Sequence, residues 1–329
     1  MSLKPAFSKN IIKLASAEET ANEIIVRLRN EVAHVLKRKG AIVGISGGID
    51  SSVTLALSVK AFGPDKVLGI MMPEHDSNPD SKLLALQLAV KFGVATVEEK
   101  MTEALAGFGC YLRRDEAVKS VVPEFDPEKD KFKIEIRQSI INMKLPPVFN
   151  VTVYFFDGRV ISKVLPLKAY LQIVAASNFK QRSRMSMLYY HAELNHYAVI
   201  GTPNKHEVKQ GFFVKFGDGG ADVMPIAHLF KTQVYELARF LGVPGEIIER
   251  TPTTDTYSAE QTQEDFFYQL PFEVMDLMWY GWENGYQPEE IASVMEYSID
   301  EVISIFKSFE RKMKTTEYLR LSPIHFYPK

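Results

Sequence analysis

The chain has 329 residues, of which 46% are hydrophobic and 24% are charged, and its formal net charge at pH 7 is −2. Such a composition is typical of a globular protein with a substantial core, and the near-neutral balance gives no general reason to expect a nucleic-acid partner. A lone cysteine, Cys110, excludes an internal disulfide framework and a CxxC redox or zinc site, and no apolar run approaches the ~18 residues of a membrane span, so we expect a cytoplasmic protein.

The first part of the chain alternates helical and strand-like patterns. Ser16 followed by two glutamates is typical of a capped helix start, and apolar residues then recur at helical spacing until Gly40. Beyond it, strands are predicted at residues 41–45, 67–72 and 94–97, with helices at 52–62 and 81–92 between them. This alternation predicts an α/β fold with a doubly wound, mainly parallel sheet flanked by helices.

The turn after the first predicted strand reads Ser46-Gly47-Gly48-Ile49-Asp50-Ser51-Ser52. Adjacent glycines let the backbone approach a ligand closely, so that successive amides and the following helix can bind phosphate. A carboxylate at Asp50 would repel that phosphate unless a cation lay between them, which indicates Mg²⁺. An ordinary capped turn is the alternative, but the full string favours nucleotide binding by an enzyme that splits ATP between its α and β phosphates.

Residues of about 121–168 read as a β-rich insertion. An exposed strand is predicted at 131–136, and strands at 151–156 and 159–164 flank a two-residue Asp157-Gly158 turn, which is a strong hairpin signal. We interpret the insertion as a surface addition without chemistry of its own, the alternative being a functional subdomain.

The α/β pattern then resumes with the basic segment Asn178–Leu188, which is predicted to begin a helix. Cations in a first helical turn oppose the helix dipole, so the segment indicates either an anionic ligand or a solvated basic face. A strand at residues 197–200 follows. Because ligands of open α/β sheets sit beyond the carboxyl ends of strands, Thr202 and Glu207 are expected to face the same pocket as Asp50.

Two more segments complete the pattern. Residues 215–226 form a glycine- and acid-rich loop, which is compatible with close ligand approach or with a flexible turn. Residues 229–242 predict an amphipathic helix that ends at Gly242 and has Lys231 near its start, an unfavourable place for a cation unless it meets phosphate. The remaining residues, 257–329, are mostly helical in pattern, with apolar faces for a core or subunit interface.

Together these strings resemble the NAD synthetase family of ATP pyrophosphatases. The resemblance rests on SGGIDSS, on GTPNKHEVKQGFFVKFGDGGADVMPIAHLFKTQVYELARFLGVP, on Pro252-Thr253-Thr254-Asp255 and on the basic segment from Asn178. It implies an adenine nucleotide α-hydrolase-like fold in a single synthetase domain over 1–329, with its core at about 20–110 and 175–256, the insertion at 121–168 and a helical region at 257–329. It also implies a homodimer.

The resemblance further implies an ammonia-dependent ligase that adenylates the nicotinate carboxylate of deamido-NAD with MgATP, releases pyrophosphate and lets ammonia displace AMP. ATP contacts are then expected from Ser46, Gly47, Gly48, Asp50, Ser51, Thr202, Lys231 and Thr253, Mg²⁺ ligands from Asp50 and Glu207, and deamido-NAD contacts from Asn178, Arg182, Lys215, Asp218 and Asp222. Positioning and charge neutralisation by Asp50 and Lys231 should dominate catalysis, with Asp222 as a base for ammonia.

The chain departs from the family near its C-terminus and in the insertion. Thr316-Glu317-Tyr318-Leu319-Arg320 stands where family members commonly carry T/S-E-H-K-R, so a histidine and a lysine are missing. Both departures affect the acceptor side. A ligase that adenylates another carboxylate is therefore an alternative, as is a nucleotide-binding protein without catalysis. Free ammonia is the expected amine donor, with a separate glutaminase partner as the other possibility.

Overall fold

The computed structural model of the chain describes residues 4–136, 148–253 and 257–326. Thr254 and Asp255 of the predicted family motif lie outside these residues, as does part of the predicted insertion. Within the described parts, the strands form a parallel sheet and a smaller antiparallel sheet, and helices account for most of the rest.

The strands are β1 (Ala41–Gly44), β2 (Val67–Met71), β3 (Ala95–Glu98), β4 (Lys131–Ile136), β5 (Phe149–Tyr154), β6 (Val160–Val164) and β7 (Ala198–Ile200). The helices are α1 (Ala17–Asn30), α2 (Ile49–Phe62), α3 (Pro79–Phe92), α4 (Thr102–Gly107), α5 (Cys110–Lys119), α6 (Leu167–Asn195), α7 (Lys205–Gln210), α8 (Lys231–Leu241), α9 (Gly245–Glu249), α10 (Phe272–Glu283), α11 (Pro288–Met295), α12 (Ile299–Thr315) and α13 (Glu317–Arg320). Two π-helical turns, Glu31–Val35 and Glu264–Tyr268, and a 3₁₀ turn, Pro64–Lys66, connect some of them.

The main sheet is parallel and has the strand order β3-β2-β1-β7. Successive side chains of a strand point to opposite faces. Ile42 of β1 therefore packs against α6, whereas Ala41 and Val43 belong to the core under α1, α2, α3 and α8. Helices cover both faces, which confirms the predicted doubly wound sheet, and the strand order makes β1 one of its two inner strands.

The small sheet has the order β4-β5-β6 and is antiparallel, as predicted for the insertion. The predicted two-residue turn is wrong in length, because the last ladder pair of the hairpin is Tyr154 with Val160 and residues 155–159 form the loop. Gly158 takes a φ of +87°, and the Phe155 amide donates to the Arg159 carbonyl at 2.9 Å. The left-handed glycine thus closes a longer turn than the Asp-Gly pair suggests.

Helix α6 corrects the expectation for the basic segment. It runs unbroken from Leu167 to Asn195, so Asn178–Leu188 lies inside a 29-residue helix and does not begin one. Asparagine is a common N-cap residue, but here good helix formers precede it and the helix continues through it. The unpaired amides that give a helix its positive end are at Leu167. These cations therefore lie too far from the N-terminus of α6 to oppose its dipole.

The C-terminal helices α10, α11 and α12 form a second core, in which Trp279 and Phe309 are buried. This confirms the helical pattern predicted beyond residue 257. In the described parts of the chain, the helices are too short or too polar for a bilayer crossing. The assignment of all 329 residues to a single domain stays a prediction.

Candidate active site

The turn between β1 and α2 has the geometry of a phosphate-binding loop. Gly47 has a φ of +73°, and a Cβ atom there would lie 2.6 Å from the Ser81 carbonyl oxygen, so only glycine fits. Gly48 is the N-cap of α2, and its carbonyl accepts the Ser51 hydroxyl at 3.0 Å. The loop therefore presents hydroxyls and the amino end of a helix at the carboxyl end of the sheet.

Asp50, in the first turn of α2, is paired with Lys231, in the first turn of α8. The Lys231 Nζ donates to Asp50 Oδ2 at 2.5 Å, and the Lys231 side chain is fully buried. Burial alone would lower the pKa of Lys231, but the Asp50 and Glu207 carboxylates outweigh it and hold the pKa above its usual value. A buried, charged lysine thus stands beside the loop.

Glu207 is positioned by the start of α7. Asn204 caps this helix, its backbone amide donating to Glu207 Oε2 at 2.8 Å while its side-chain amide donates to Asp50 Oδ1 at 3.3 Å. Burial, followed by repulsion from the Asp50 carboxylate, raises the pKa of Glu207 to about 8. Asn204 thus links the carboxylates of Asp50 and Glu207, which lie beyond neighbouring strand ends.

A buried polar network behind these residues was not predicted. His206 Nε2 lies 2.6 Å from Asp276 Oδ1 of α10, and both side chains are fully buried. Asp276 Oδ2 accepts the backbone amide of Thr232 at 2.8 Å and its hydroxyl at 2.7 Å. Since His206 precedes Glu207 and Thr232 follows Lys231, one carboxylate ties together the two helix starts that carry the functional groups.

A second unpredicted cluster lies at the carboxyl end of β2. Lys180 of α6 donates to Glu74 Oε1 at 3.1 Å and to Asp76 Oδ2 at 2.5 Å, and Arg114 also pairs with Asp76. Burial alone would raise the pKa of Asp76, but Lys180 and Arg114 hold it below its usual value. These partners are far apart in sequence. The only sequence feature that indicates the cluster is the position of the two acidic residues just after the predicted strand β2.

One cavity of about 970 Å³ connects these features. It is lined by Glu74 and Lys180 of the second cluster and by the phosphate loop. The predicted site residues that line it are Ser46, Gly47, Gly48, Asp50, Ser51, Asn178, Thr202, Glu207, Asp218, Lys231 and Thr253. The structure thus gathers all the residues expected to contact ATP and both expected metal ligands at one cavity.

Three predicted residues do not line this cavity. Arg182 Nε donates to the Lys215 carbonyl at 3.1 Å, and Lys215 Nζ donates to the carbonyls of Tyr318 at 3.0 Å and Leu321 at 2.7 Å. Asp222 accepts the Val199 amide at 2.8 Å and the Tyr189 hydroxyl at 3.0 Å. Both oxygens of Asp222 are engaged with protein donors, so this geometry does not support it as a base at the cavity.

The C-terminal string meets the cavity through Thr316 and Leu319, whereas Tyr318 is 63% exposed. Two basic residues that sequence reasoning missed, Arg311 and Lys312 of α12, line the cavity too. Lys312 Nζ donates to the Phe267 carbonyl at 2.7 Å, and burial, assisted by Arg311, lowers the pKa of Lys312 to about 7. Two basic side chains are therefore present on this wall although the family histidine and lysine are not, and Lys312 carries its charge only part of the time near pH 7.

The chain is similar to known proteins in sequence and in fold. The family model described as NAD synthase matches residues 20–142 and 158–322. The NH3-dependent NAD+ synthetase of Mesorhizobium japonicum is 45% identical over 94% of this chain and 96% of its own length, and that of Methanocaldococcus jannaschii is 32% identical over 90% and 95%. The structure of NMN synthetase from Francisella tularensis superposes with a TM-score of 0.64, at 23% identity, over 95% of this chain and 99% of its own.

Proposed function

The chain belongs to the NAD synthase family, and we propose that it is an ammonia-dependent NAD synthetase. The carboxylate of deamido-NAD attacks the α-phosphorus of ATP, the bond between the α and β phosphates breaks, and pyrophosphate leaves. Ammonia then attacks the acyl carbon, AMP departs with the former carboxylate oxygen, and the new amide nitrogen loses a proton. The observation that carries the proposal is the placement of Lys231, Asp50 and Glu207 around a glycine loop in one cavity.

The chain's own groups account for ATP binding. Ser46, Ser51 and the amino end of α2 offer hydrogen bonds to phosphate oxygens, and Lys231 offers a charge that its partners keep in place. Thr202 and Thr253 line the same cavity and are proposed as further phosphate contacts. Fixed donors of this kind orient the triphosphate and stabilise charge as pyrophosphate leaves.

The donor set fits Mg²⁺. This ion prefers oxygen ligands and commonly takes one or two carboxylates together with substrate phosphates. Asp50 and Glu207 offer two carboxylates. A cation would relieve their mutual repulsion, which adds to burial in raising the pKa of Glu207. No group of three or more acidic, histidine or cysteine side chains suited to a metal occurs within the described ranges, so the remaining ligands would come from ATP and water. When bound, Mg²⁺ would neutralise phosphate charge.

On the acceptor side, we propose that Asn178 and Asp218 contact deamido-NAD, since both line the cavity. Arg311 and Lys312 are proposed to meet its phosphates in place of the missing histidine and lysine. A different acceptor is not favoured, because relatives that align over nearly the whole chain carry the name NH3-dependent NAD+ synthetase. The same name supports free ammonia as the amine donor.

We further propose a homodimer working in the cytoplasm. Exposed apolar side chains on the packed pair α5 and α6, including Leu112 and Leu171, support a subunit contact there. The buried free thiol of Cys110 is compatible with a reducing compartment. Analytical ultracentrifugation measures the oligomeric state, and cell fractionation measures the cellular location.

The function is tested by incubating the protein with MgATP, ammonium and a panel of carboxylates. Deamido-NAD should yield NAD, AMP and pyrophosphate in equal amounts, and Asp50→Ala should abolish all three. If exchange of pyrophosphate into ATP depends on another acid and not on deamido-NAD, that acid is the acceptor and deamido-NAD is not. Absence of exchange with every acid would remove the enzymatic proposal altogether.

A further inference from the structure

The β insertion contributes a wall of the cavity. Phe149, at the start of β5, lines the cavity together with Tyr170 and Val174 of α6. Phe149 lies between the two stretches that the NAD synthase family model matches, residues 20–142 and 158–322. An element outside the family pattern therefore takes part in the site, contrary to the expectation of a surface addition without chemistry.

The insertion is fixed to the part of the chain that carries the site. The Ala259 amide donates to the Phe132 carbonyl at 3.0 Å, the Phe132 amide donates to Ser258 Oγ at 3.0 Å, and Gln261 Nε2 donates to the Ile134 carbonyl at 3.1 Å. In the ladder between β4 and β5, Phe149 lies opposite Ile136. On the other side of β5, the Leu165 amide donates to the Phe149 carbonyl at 2.8 Å. The backbone that carries Phe149 is thus anchored on both sides before a ligand arrives.

Phe149 and Tyr170 form a stacked pair. Their ring centroids are 4.3 Å apart and their planes are inclined by 24°. Both side chains are half-buried, which leaves part of their apolar surface facing the cavity. Stacked rings at a cavity wall are a common platform for a further planar ring, because stacking depends on the π-face and tolerates different bases.

The position of this pair separates it from the phosphate loop. Tyr170, Val174, Asn178 and Leu188 all line the cavity from α6, and Leu188 packs beside Gly44 at the end of β1. At a rise of about 1.5 Å per residue, Tyr170 is roughly 27 Å along the helix from Leu188 and about 12 Å beyond Asn178. The aromatic pair therefore lies far from the phosphate loop, beyond Asn178, which is proposed to contact the acceptor.

We propose that Phe149 and Tyr170 bind a planar ring of the carboxylate acceptor and so contribute to acceptor specificity. This inference rests on the proposed function. Deamido-NAD carries two such rings, the pyridine of the nicotinate and the adenine, and a mononucleotide acceptor carries only the first. The shared chemistry is stacking of a heteroaromatic ring, and the choice of acceptor distinguishes the two sources.

The test uses Phe149→Leu and Tyr170→Leu in the full chain, since leucine keeps apolar bulk and removes the ring. Each should raise KM for deamido-NAD about tenfold, the scale of one lost base stack, with KM for ATP and kcat within twofold of the parent. Tyr170→Phe keeps the ring and should behave as the parent. Phe156→Leu is the matched control, because Phe156 belongs to the same hairpin and its side chain is 76% exposed.

Nicotinate mononucleotide is then compared with deamido-NAD as substrate or competitive inhibitor. If the leucine variants bind both ligands more weakly to the same extent, the aromatic pair stacks on the nicotinate ring. If only the binding of deamido-NAD is weakened, the pair stacks on the adenine ring. An unchanged KM for deamido-NAD in folded Phe149→Leu and Tyr170→Leu, judged by near-ultraviolet circular dichroism, overturns the inference, as does an equal rise in KM for ATP. Should Phe149→Leu not fold, Phe149→Trp must retain the parent KM. A parent protein that makes no NAD contradicts the proposed function instead.

Discussion

Lys231 Nζ lies 2.5 Å from Asp50 Oδ2, with the lysine side chain fully buried and the aspartate side chain 15% exposed. The two residues lie in the first turns of different helices, α8 and α2, so the pair links two walls of the cavity. Removing one partner of a buried pair leaves an uncompensated charge, whereas removing both is often tolerated. The pair therefore has separable roles in stability and catalysis.

We predict that Asp50→Asn lowers the free energy of unfolding by about 3 kcal/mol, because it removes the carboxylate that is hydrogen-bonded to the buried Lys231 charge. Lys231→Met should lower the free energy of unfolding by a smaller amount, since the Asp50 carboxylate that it leaves unpaired is partly accessible to water. The double variant should be less destabilised than the sum of the two, by about 1–3 kcal/mol. Urea denaturation of the four proteins measures this coupling. All three variants should lose adenylation, and strict additivity of the free energies would contradict the pairing.

Asp276 is predicted to be a positioning residue. Asp276→Asn keeps an acceptor for Thr232 but alters the contact with His206, which is 2.6 Å away. Because these neighbours precede Glu207 and follow Lys231, we expect about a tenfold loss of kcat/KM and a higher Mg²⁺ requirement. Kinetics over a Mg²⁺ series measure both. Asp300→Asn, at an exposed helix start in the same region, should change neither; a loss of thermal stability with normal Mg²⁺ dependence would show a purely structural role.

Gly47→Ala should abolish ATP binding. Its Cβ would lie 2.6 Å from the Ser81 carbonyl oxygen at a φ of +73°, so the loop must move. Gly242→Ala is the matched control, with a φ of +76° and no atom within 4 Å of the added carbon. It should cost about 1 kcal/mol of stability and leave binding intact. Calorimetric titration with ATP compares them, and equal affinities would argue against a close phosphate approach at this turn.

Asp218 should make stability depend on pH. Burial raises the pKa of Asp218 from 3.8 to about 6. Between these values the folded protein keeps a proton that the unfolded chain has lost, so this group's contribution to stability falls as pH rises through the window. Asp218→Asn retains an acceptor for the Val214 amide, 2.8 Å away, and should stabilise the protein more at pH 7.5 than at pH 5. Thermal unfolding at both values checks the sign; a gain confined to pH 5 would contradict it.

The sequence allowed the sheet and the phosphate loop to be predicted because both are local patterns. A buried strand followed by SGGIDSS specifies its own geometry, and Thr202 and Glu207 follow from the rule that strand ends meet at one edge. The pairing of Lys180 with Glu74 and Asp76 was missed because it joins α6 to a distant loop. No local pattern encodes such contacts.

Side-chain direction was the other limit. On α6, Gln181 and Arg184 line the cavity, whereas Arg182 donates to the Lys215 carbonyl. A motif gives the residue types on a helix, but the rotation of that helix against the sheet decides which of them face a ligand. With the start of α6 misplaced by eleven residues, from Leu167 to Asn178, this rotation could not be inferred.

The segment around Asp222 has a consequence for association. The Asp222 side chain accepts a hydrogen bond from the Val199 amide at 2.8 Å, and the Asp222 amide donates to the Val199 carbonyl at 3.0 Å. The Gly201 amide donates to the Val223 carbonyl at 2.8 Å. An open strand edge is a template on which a second polypeptide can add. Here the chain's own backbone and one carboxylate fill the positions that an incoming strand would use. Fibril-like growth along the outer side of β7 is thereby blocked.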